Sequence, residues 1–397
     1  MRRLLAMALA TAAITGAPAP VLASEGASTS LAVLPVGSHV AGLAVGADAV
    51  WIAGGRAGTV ARLDPSTNQL LATIQVAEPW PACDRCWATV AARGDAVWAA
   101  MDRAGPVVAR IDPASNRVSE TIDVGVLPSA LTVDDNGALW LTATLEDAVV
   151  HVDPRVAGAV ARTPVHLPRG IVAGQDAVWV TAWKPGANGQ LVRIDPRTGV
   201  VLATISVGHE PGALAVADVD VWVANEADHT LSRIDTHTNT VAATIPVVHL
   251  PVGMAIGADA VWVASRGSAL LSPPTLSRID PSSNTVVETT PLEGTAPIGM
   301  AAGAGRLWVA SRNPDAVVQI GPVPLPAGPP AASGPPQIPV VLGVGTIFLL
   351  ATGEVLRRSA HRGGGRPTRD GHVLRALLLT QPASRRVGAR EWPSELG

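Results

Sequence analysis

A tryptophan between small aliphatic residues recurs seven times along the chain, at Trp51, Trp98, Trp140, Trp179, Trp222, Trp262 and Trp308. The spacings are 47, 42, 39, 43, 40 and 46 residues. A period of this length with one Trp per unit predicts a β-propeller, one four-stranded blade per repeat. The fifth copy is the most legible. Gly212–Val216 reads as a first strand, Val221–Ala224 as the second, Thr230–Ile234 as the third and Val241–Val247 as the fourth, with short polar turns between them. The chain has no Tyr and one Phe but is rich in Gly and Pro, which suits many short strands and tight turns. The fold class expected is all-β.

The turn between the third and fourth strands carries its own chemistry. Asp64-Pro65, Asp112-Pro113, Asp153-Pro154, Asp195-Pro196 and Asp280-Pro281 open it, with Asp235-Thr236 in the fifth copy. An Asp here accepts backbone N–H bonds, Pro fixes the next φ, and a later Asn or Gly tolerates the left-handed residue. These carboxylates are read as structural, not as a ligand series. Arg62, Arg110, Arg193, Arg233 and Arg278 precede them in register, as solvated or blade-bridging groups.

The ends of the repeat region say how the ring closes. The seventh copy supplies Pro297–Ala302, Arg306–Ala310 and Ala316–Ile320 and then stops at Gly321-Pro322 without a fourth strand. The spare strand lies at the other end, where Leu31–Val36 matches Ala243–Val247. The N-terminal strand is therefore expected to complete the seventh blade, which leaves no open edge in the ring.

Outside residues 31–322 the composition changes. Residues 1–23 read as a secretory signal: Arg2 and Arg3, an apolar stretch, then a small-residue cleavage pattern at Val21-Leu22-Ala23. An uncleaved N-terminal anchor is the alternative. Residues 323–337 form a Pro/Gly/Ala linker. Residues 338–356 are apolar but for Glu354 and are expected to form a transmembrane helix, or else a hydrophobic tail packed on the propeller. Residues 357–397 form a basic tail, and Arg357, Arg358, Arg362 and Arg366 place that side in the cytoplasm. The expected product is a single-pass cell-membrane protein with an extracytoplasmic propeller. Of the net charge of −3, the tail carries +6 and the first residues +2, so the middle carries −11. An acidic middle argues against nucleic acid as a partner.

In a four-stranded blade the fourth-to-first and second-to-third connections share one face, the top. Three features concentrate there. Cys83 and Cys86, the two cysteines of the chain, lie in the longest fourth-to-first loop. In an oxidising compartment they read as a local disulfide, with a redox pair or half a metal site as alternatives. Trp80 and Trp87 flank them, and Trp183-Lys184 and Arg266 lie in second-to-third loops. These groups could hold a small molecule, a glycan or a protein, or could cover their own loops. His166, His209 and His249 each stand two residues before a Pro in successive blades, an arc of imidazoles that could bind a metal or an anion. Glu226 and His229 are near enough in sequence to His209 to join such a site. No nucleophile elbow, phosphate-binding Gly-rich loop or zincin motif occurs.

The unit seen in Pro211–Val247 and Pro251–Thr290 resembles the YVTN-type propellers, including the virginiamycin B lyase-like group. The resemblance covers roughly Leu31 to Pro322. It implies the propeller fold. Family members include extracytoplasmic binding proteins, relatives involved in haem maturation, and a lyase that opens a cyclic depsipeptide with a divalent metal such as Mg and a His base near the channel mouth. For those roles the resemblance points to Glu226 and His229. The family's lyase repeats carry a Trp-Phe-Thr-Glu strand end, whereas Trp222 here is followed by Val223-Ala224-Asn225. The function expected is a binding scaffold without a cofactor, working through its top face. A metal-dependent lyase is one alternative, and a haem- or metal-handling propeller is the other.

Overall fold

The computed structural model describes residues 31–36, 39–82, 87–101, 104–155, 160–217, 219–257, 260–267 and 272–321. The signal segment, Cys83 and Cys86, the linker, the apolar segment over 338–356 and the basic tail lie outside these residues. Among the described residues no helix is long and apolar enough to cross a membrane.

Among the described residues, twenty-eight strands form seven antiparallel four-stranded sheets, six of them in strict sequence order. The seventh sheet has the strand order expected from its missing partner. Pro297–Gly303, Arg306–Arg312 and Asp315–Ile320 supply three strands, and Leu31–Pro35 pairs antiparallel on the last, Leu31 opposite Ile320 and Pro35 opposite Ala316. The first strands of successive blades pack on one another all the way round, the seventh on the first. The ring is closed non-covalently by this strand pair, which completes the seventh blade.

Burial explains the residue pattern of each blade. In the fifth blade the first strand, Pro211–Val216, and the second, Asp220–Asn225, are buried almost throughout. Both sheet faces touch neighbouring blades there, so the sequence is a continuous run of small aliphatics instead of an alternation. The fourth strand, Thr240–Pro246, is largely exposed and alternates. All seven repeat tryptophans are buried, six of them almost completely. Four indole N–H groups find acceptors: Gly46, Gly174 and Gly303 carbonyls for Trp51, Trp179 and Trp308, and the Asp134 carboxylate for Trp140.

A polar girdle links the blades on the bottom face. Arg62, Arg110, Arg193, Arg233 and Arg278 lie over Trp51, Trp98, Trp179, Trp222 and Trp262 at 5.1–6.0 Å. Several of these guanidinium groups also reach the turn of the next blade. Arg193 Nη1 donates to Thr236 O at 2.8 Å and Asn239 Oδ1 at 2.9 Å. Arg62 and Arg233 do the same to Asn116 and Asn284. Asn68 donates to Gln319 across the closure. The arginines are thus blade-bridging. Each turn is tied by its Asp, as with Asp280 Oδ1 accepting from Ser282 N at 2.8 Å. Hydrogen bonds from the Ser66 hydroxyl and backbone hold the Asp64 carboxyl down to about 2. These carboxylates are structural, as their position in the turn implies.

Candidate functional site

The repeat is broken most sharply on the top face, between the fourth and fifth blades. Three residues before the partner of the repeat Trp stands Ala41, Ala88, Ser129, Gly212, Val252 or Ile298 in six blades and Arg169 in the fourth. The pairing of first and second strands shifts register near this position in the first, fourth, fifth, sixth and seventh blades, so the bulge belongs to the repeat and the side chain on it is what differs. Such a bulge re-aims a side chain. Arg169 points across the seam, its Nη1 3.4 Å from Pro211 O and its Nη2 3.4 Å from Glu226 Oε1. Glu226 leaves the end of the second strand of the fifth blade, and its backbone N–H donates to Glu210 O at 3.1 Å. Its carboxylate lies over Gly212, where a Cβ would stand 2.0 Å from Oε1, so glycine at 212 makes the space for it.

Both charged side chains are almost wholly buried, 5 % and 2 % exposed. Burying an ion pair is costly unless its geometry is excellent. Here it is loose. A tight guanidinium–carboxylate pair sits at about 2.7–2.9 Å and is bidentate. This one is single and long, and Glu226 Oε2 is buried without a hydrogen bond. Burial, only partly offset by the nearby positive charge of Arg169 and Arg266 and reinforced by Glu210, pushes the Glu226 carboxyl up to about 7. Hydroxyl and carbonyl groups frame the seam: Thr142 Oγ1 donates to Arg169 O at 3.0 Å and Thr181 Oγ1 to Gly212 O at 3.0 Å. Above it, His209 Nδ1 lies 2.9 Å from Asp228 Oδ1, and the His209 backbone N–H donates to Asp228 Oδ2 at 2.7 Å.

The other residues singled out by sequence fall as follows. The shared top face is seen in backbone bonds between its two loop types, Trp183 N to Leu167 O and Trp80 N to Arg56 O. Trp80 and Trp183 are half-buried and Lys184 is exposed. Trp87 packs against the core shared by the second and third blades, so part of it serves the scaffold. Arg266 comes near enough to act on the Glu226 carboxyl. His229 is exposed, with a left-handed backbone, and shares no hydrogen bond with the buried Glu226. The three arc histidines do not converge. His166 Nδ1 pairs with Asp147 at 3.0 Å, His209 with Asp228, and His249 stands half-buried in its own loop.

Among the described residues no three His, Cys, Asp or Glu groups come close enough to share a metal ion. The divalent metal implied by the family resemblance does not fit Glu226 either, because a guanidinium already faces that carboxylate. Sequence reasoning missed Arg169, Glu210, Gly212 and Asp228. The signal for Arg169 was available: it is the one charged residue at its repeat position.

No protein-family model matches the chain, and no curated protein matches it. Solved structures do. Virginiamycin B lyase from Staphylococcus aureus is similar with 18% identity and a TM-score of 0.60, over 74% of this chain and 99% of that one. Hydrazine synthase from Kuenenia stuttgartiensis is similar with 16% identity and a TM-score of 0.58, over 71% and 95%. The β-propeller domain of Cps50 (Swd1) from Myceliophteria thermophila is similar with 11% identity and a TM-score of 0.60, over 74% and 99%. One fold thus serves an antibiotic lyase, a hydrazine synthase and a chain named only as a propeller domain, and likeness at this level carries architecture alone. The chain has the seven-bladed β-propeller fold of which virginiamycin B lyase is one example.

Proposed function

We propose that the protein is a membrane-anchored extracytoplasmic propeller that binds a ligand at its top face, at the seam of the fourth and fifth blades. The observation that carries this reading is the loose, buried Arg169–Glu226 pair, where the equivalent place at the third–fourth seam holds only the neutral hydroxyls of Ser129 and Thr144. A scaffold gains nothing from a carboxylate whose second oxygen has no partner, whereas a binding site gains a charged group held ready. Trp183, Lys184 and Arg266 on the adjoining loops supply ring and cationic contacts around it. The signal at residues 1–23, the apolar segment at 338–356 and the arginines after it support export, a single span and a cytoplasmic tail. The acidic middle of the chain supports a partner other than nucleic acid.

The test is a thermal-shift screen of the purified full-length protein against small molecules, glycans and peptides, repeated on Arg169→Met. A true ligand at about a hundred times its Kd stabilises the folded state by about 2.7 kcal/mol. Hits that disappear in the variant support the seam. Hits unchanged in it move the site elsewhere. Membrane fractionation tests the anchor, and intact protein in the soluble cytoplasmic fraction would overturn it.

A second reading is favoured by one observation. A carboxyl near 7, buried at a loop-rimmed mouth, is matched to general acid–base work at neutral pH. In this reading Glu226 takes a proton from a cyclic depsipeptide while Arg169 steadies the charge that remains. Incubation with such a depsipeptide followed by mass spectrometry should show a linear product that Glu226→Gln does not make. No linear product from the unmodified protein removes this reading for that substrate.

A further inference from the structure

The seam has more to say about the class of ligand, on the reading that the top face is the binding face. Arg169 carries five N–H donors, and its two contacts are both 3.4 Å long. Its partner presents one oxygen and leaves the other bare. The two groups are thus held in one small polar space without closing on each other. Gly212 leaves room for the Glu226 carboxylate beside Arg169, since any side chain there would drive into it. Arg266 adds a second positive charge at a distance from which it acts on Glu226, and Glu210 adds a negative one. His209 is occupied by Asp228 and is not aimed at the pair.

We propose that this seam is a seat for a small oxyanion, the carboxylate or sulfate-like head of a ligand, which takes the Arg169 guanidinium in place of Glu226. The incoming group accepts from the forked N–H donors of Arg169. Glu226 becomes neutral by taking one proton from solvent, and its new O–H donates to the same anion. Charge balances: one anion and one proton enter, and the buried guanidinium exchanges one negative partner for another. Above about 7, where Glu226 is ionised in the free protein, binding is therefore linked to uptake of up to one proton, and it weakens as pH rises through that range.

The test uses full-length protein titrated calorimetrically with acetate and, separately, sulfate, at about pH 6 and about pH 8, where both anions stay ionised. Saturable binding of at least one anion is expected, roughly tenfold weaker at the higher pH. The two arms separate a carboxylate head from a sulfate-like one. Glu226→Gln keeps a neutral donor and should bind at both pH values with the pH dependence gone. Arg169→Met should abolish binding, and Arg169→Lys should weaken it while keeping the charge. Failure of both anions to bind the native protein and Glu226→Gln at the lower pH overturns the proposal. So does binding that survives Arg169→Met. A neutral or cationic ligand that docks here while both anions fail would leave the top-face reading intact and remove this one.

Discussion

The bottom girdle and the top seam use the same residue types to opposite ends. In the girdle each arginine lies on a tryptophan, and Arg62, Arg193 and Arg233 donate to a turn in the next blade, as Arg193 does to Thr236 and Asn239. Each carboxylate is held by the backbone of its own turn. At the seam Arg169 and Glu226 face each other at 3.4 Å, deeply buried, with one oxygen unpaired. The girdle repeats its polar contacts from blade to blade, although Nε of Arg62, Arg193 and Arg233 is buried without a partner. The seam has groups that occur once and are left incompletely satisfied. Polar contacts that recur from blade to blade report on the ring, while the proposed ligand site rests on a charged pair that occurs once.

That contrast can be broken at several points. The largest effect should come from the packing beneath the girdle. Trp222→Ala removes a fully buried ring between blades and should destabilise the protein by about 3–5 kcal/mol, read by denaturant unfolding. A loss well under about 1 kcal/mol would mean the ring is not carried by these residues.

Next is the pH dependence at the seam. The Glu226 carboxyl stands at about 7 in the folded protein against an ordinary 4.5. The folded state therefore binds this proton more tightly than the unfolded one. Its contribution is full below 4.5 and is lost as pH rises through about 7. The fall should be roughly 3 kcal/mol across that window, and Glu226→Gln should flatten it. Equal pH slopes in the two proteins would contradict the burial argument.

A smaller effect is expected from the girdle itself. Arg193→Met keeps the stem over Trp179 but removes the two bonds to the fifth blade, and should cost about 1–2 kcal/mol. If Arg169→Met costs as much at low pH, the distinction between girdle and seam fails. The smallest effect concerns the third blade, where His151 replaces the arginine and stacks on Trp140 at 4.3 Å. Burial depresses its imidazole below the usual range. Its contribution is present above the ordinary His range and is lost as pH falls through the lowered one. His151→Gln should remove a shallow acid-side loss of Tm, and an unchanged acid limb would contradict this.

Most of the ring was legible in the sequence because its physics repeats. One Trp, one Asp-led turn and one apolar pair of strands per unit are averaged over seven copies. The unmatched strand Leu31–Pro35 could be paired with the incomplete seventh blade by counting alone. The site was legible only in part. Glu226 and Arg266 were found because they lie in top-face loops, but Arg169 was passed over. It sits within a strand whose other copies are apolar, and its partner is 57 residues away. The histidine arc failed for a related reason. Equal repeat positions share a ring around the axis, but His166 and His209 are each held by an aspartate of the adjoining second-to-third loop, Asp147 and Asp228.

The most direct test of the seam is the titration of one group. Carbon-13 NMR of glutamate-labelled full-length protein, with the Glu226 signal assigned from Glu226→Gln, gives the midpoint of that carboxyl. The account expects about 7, and a higher midpoint when acetate is added. A midpoint at the ordinary 4.5, unmoved by acetate, would contradict it.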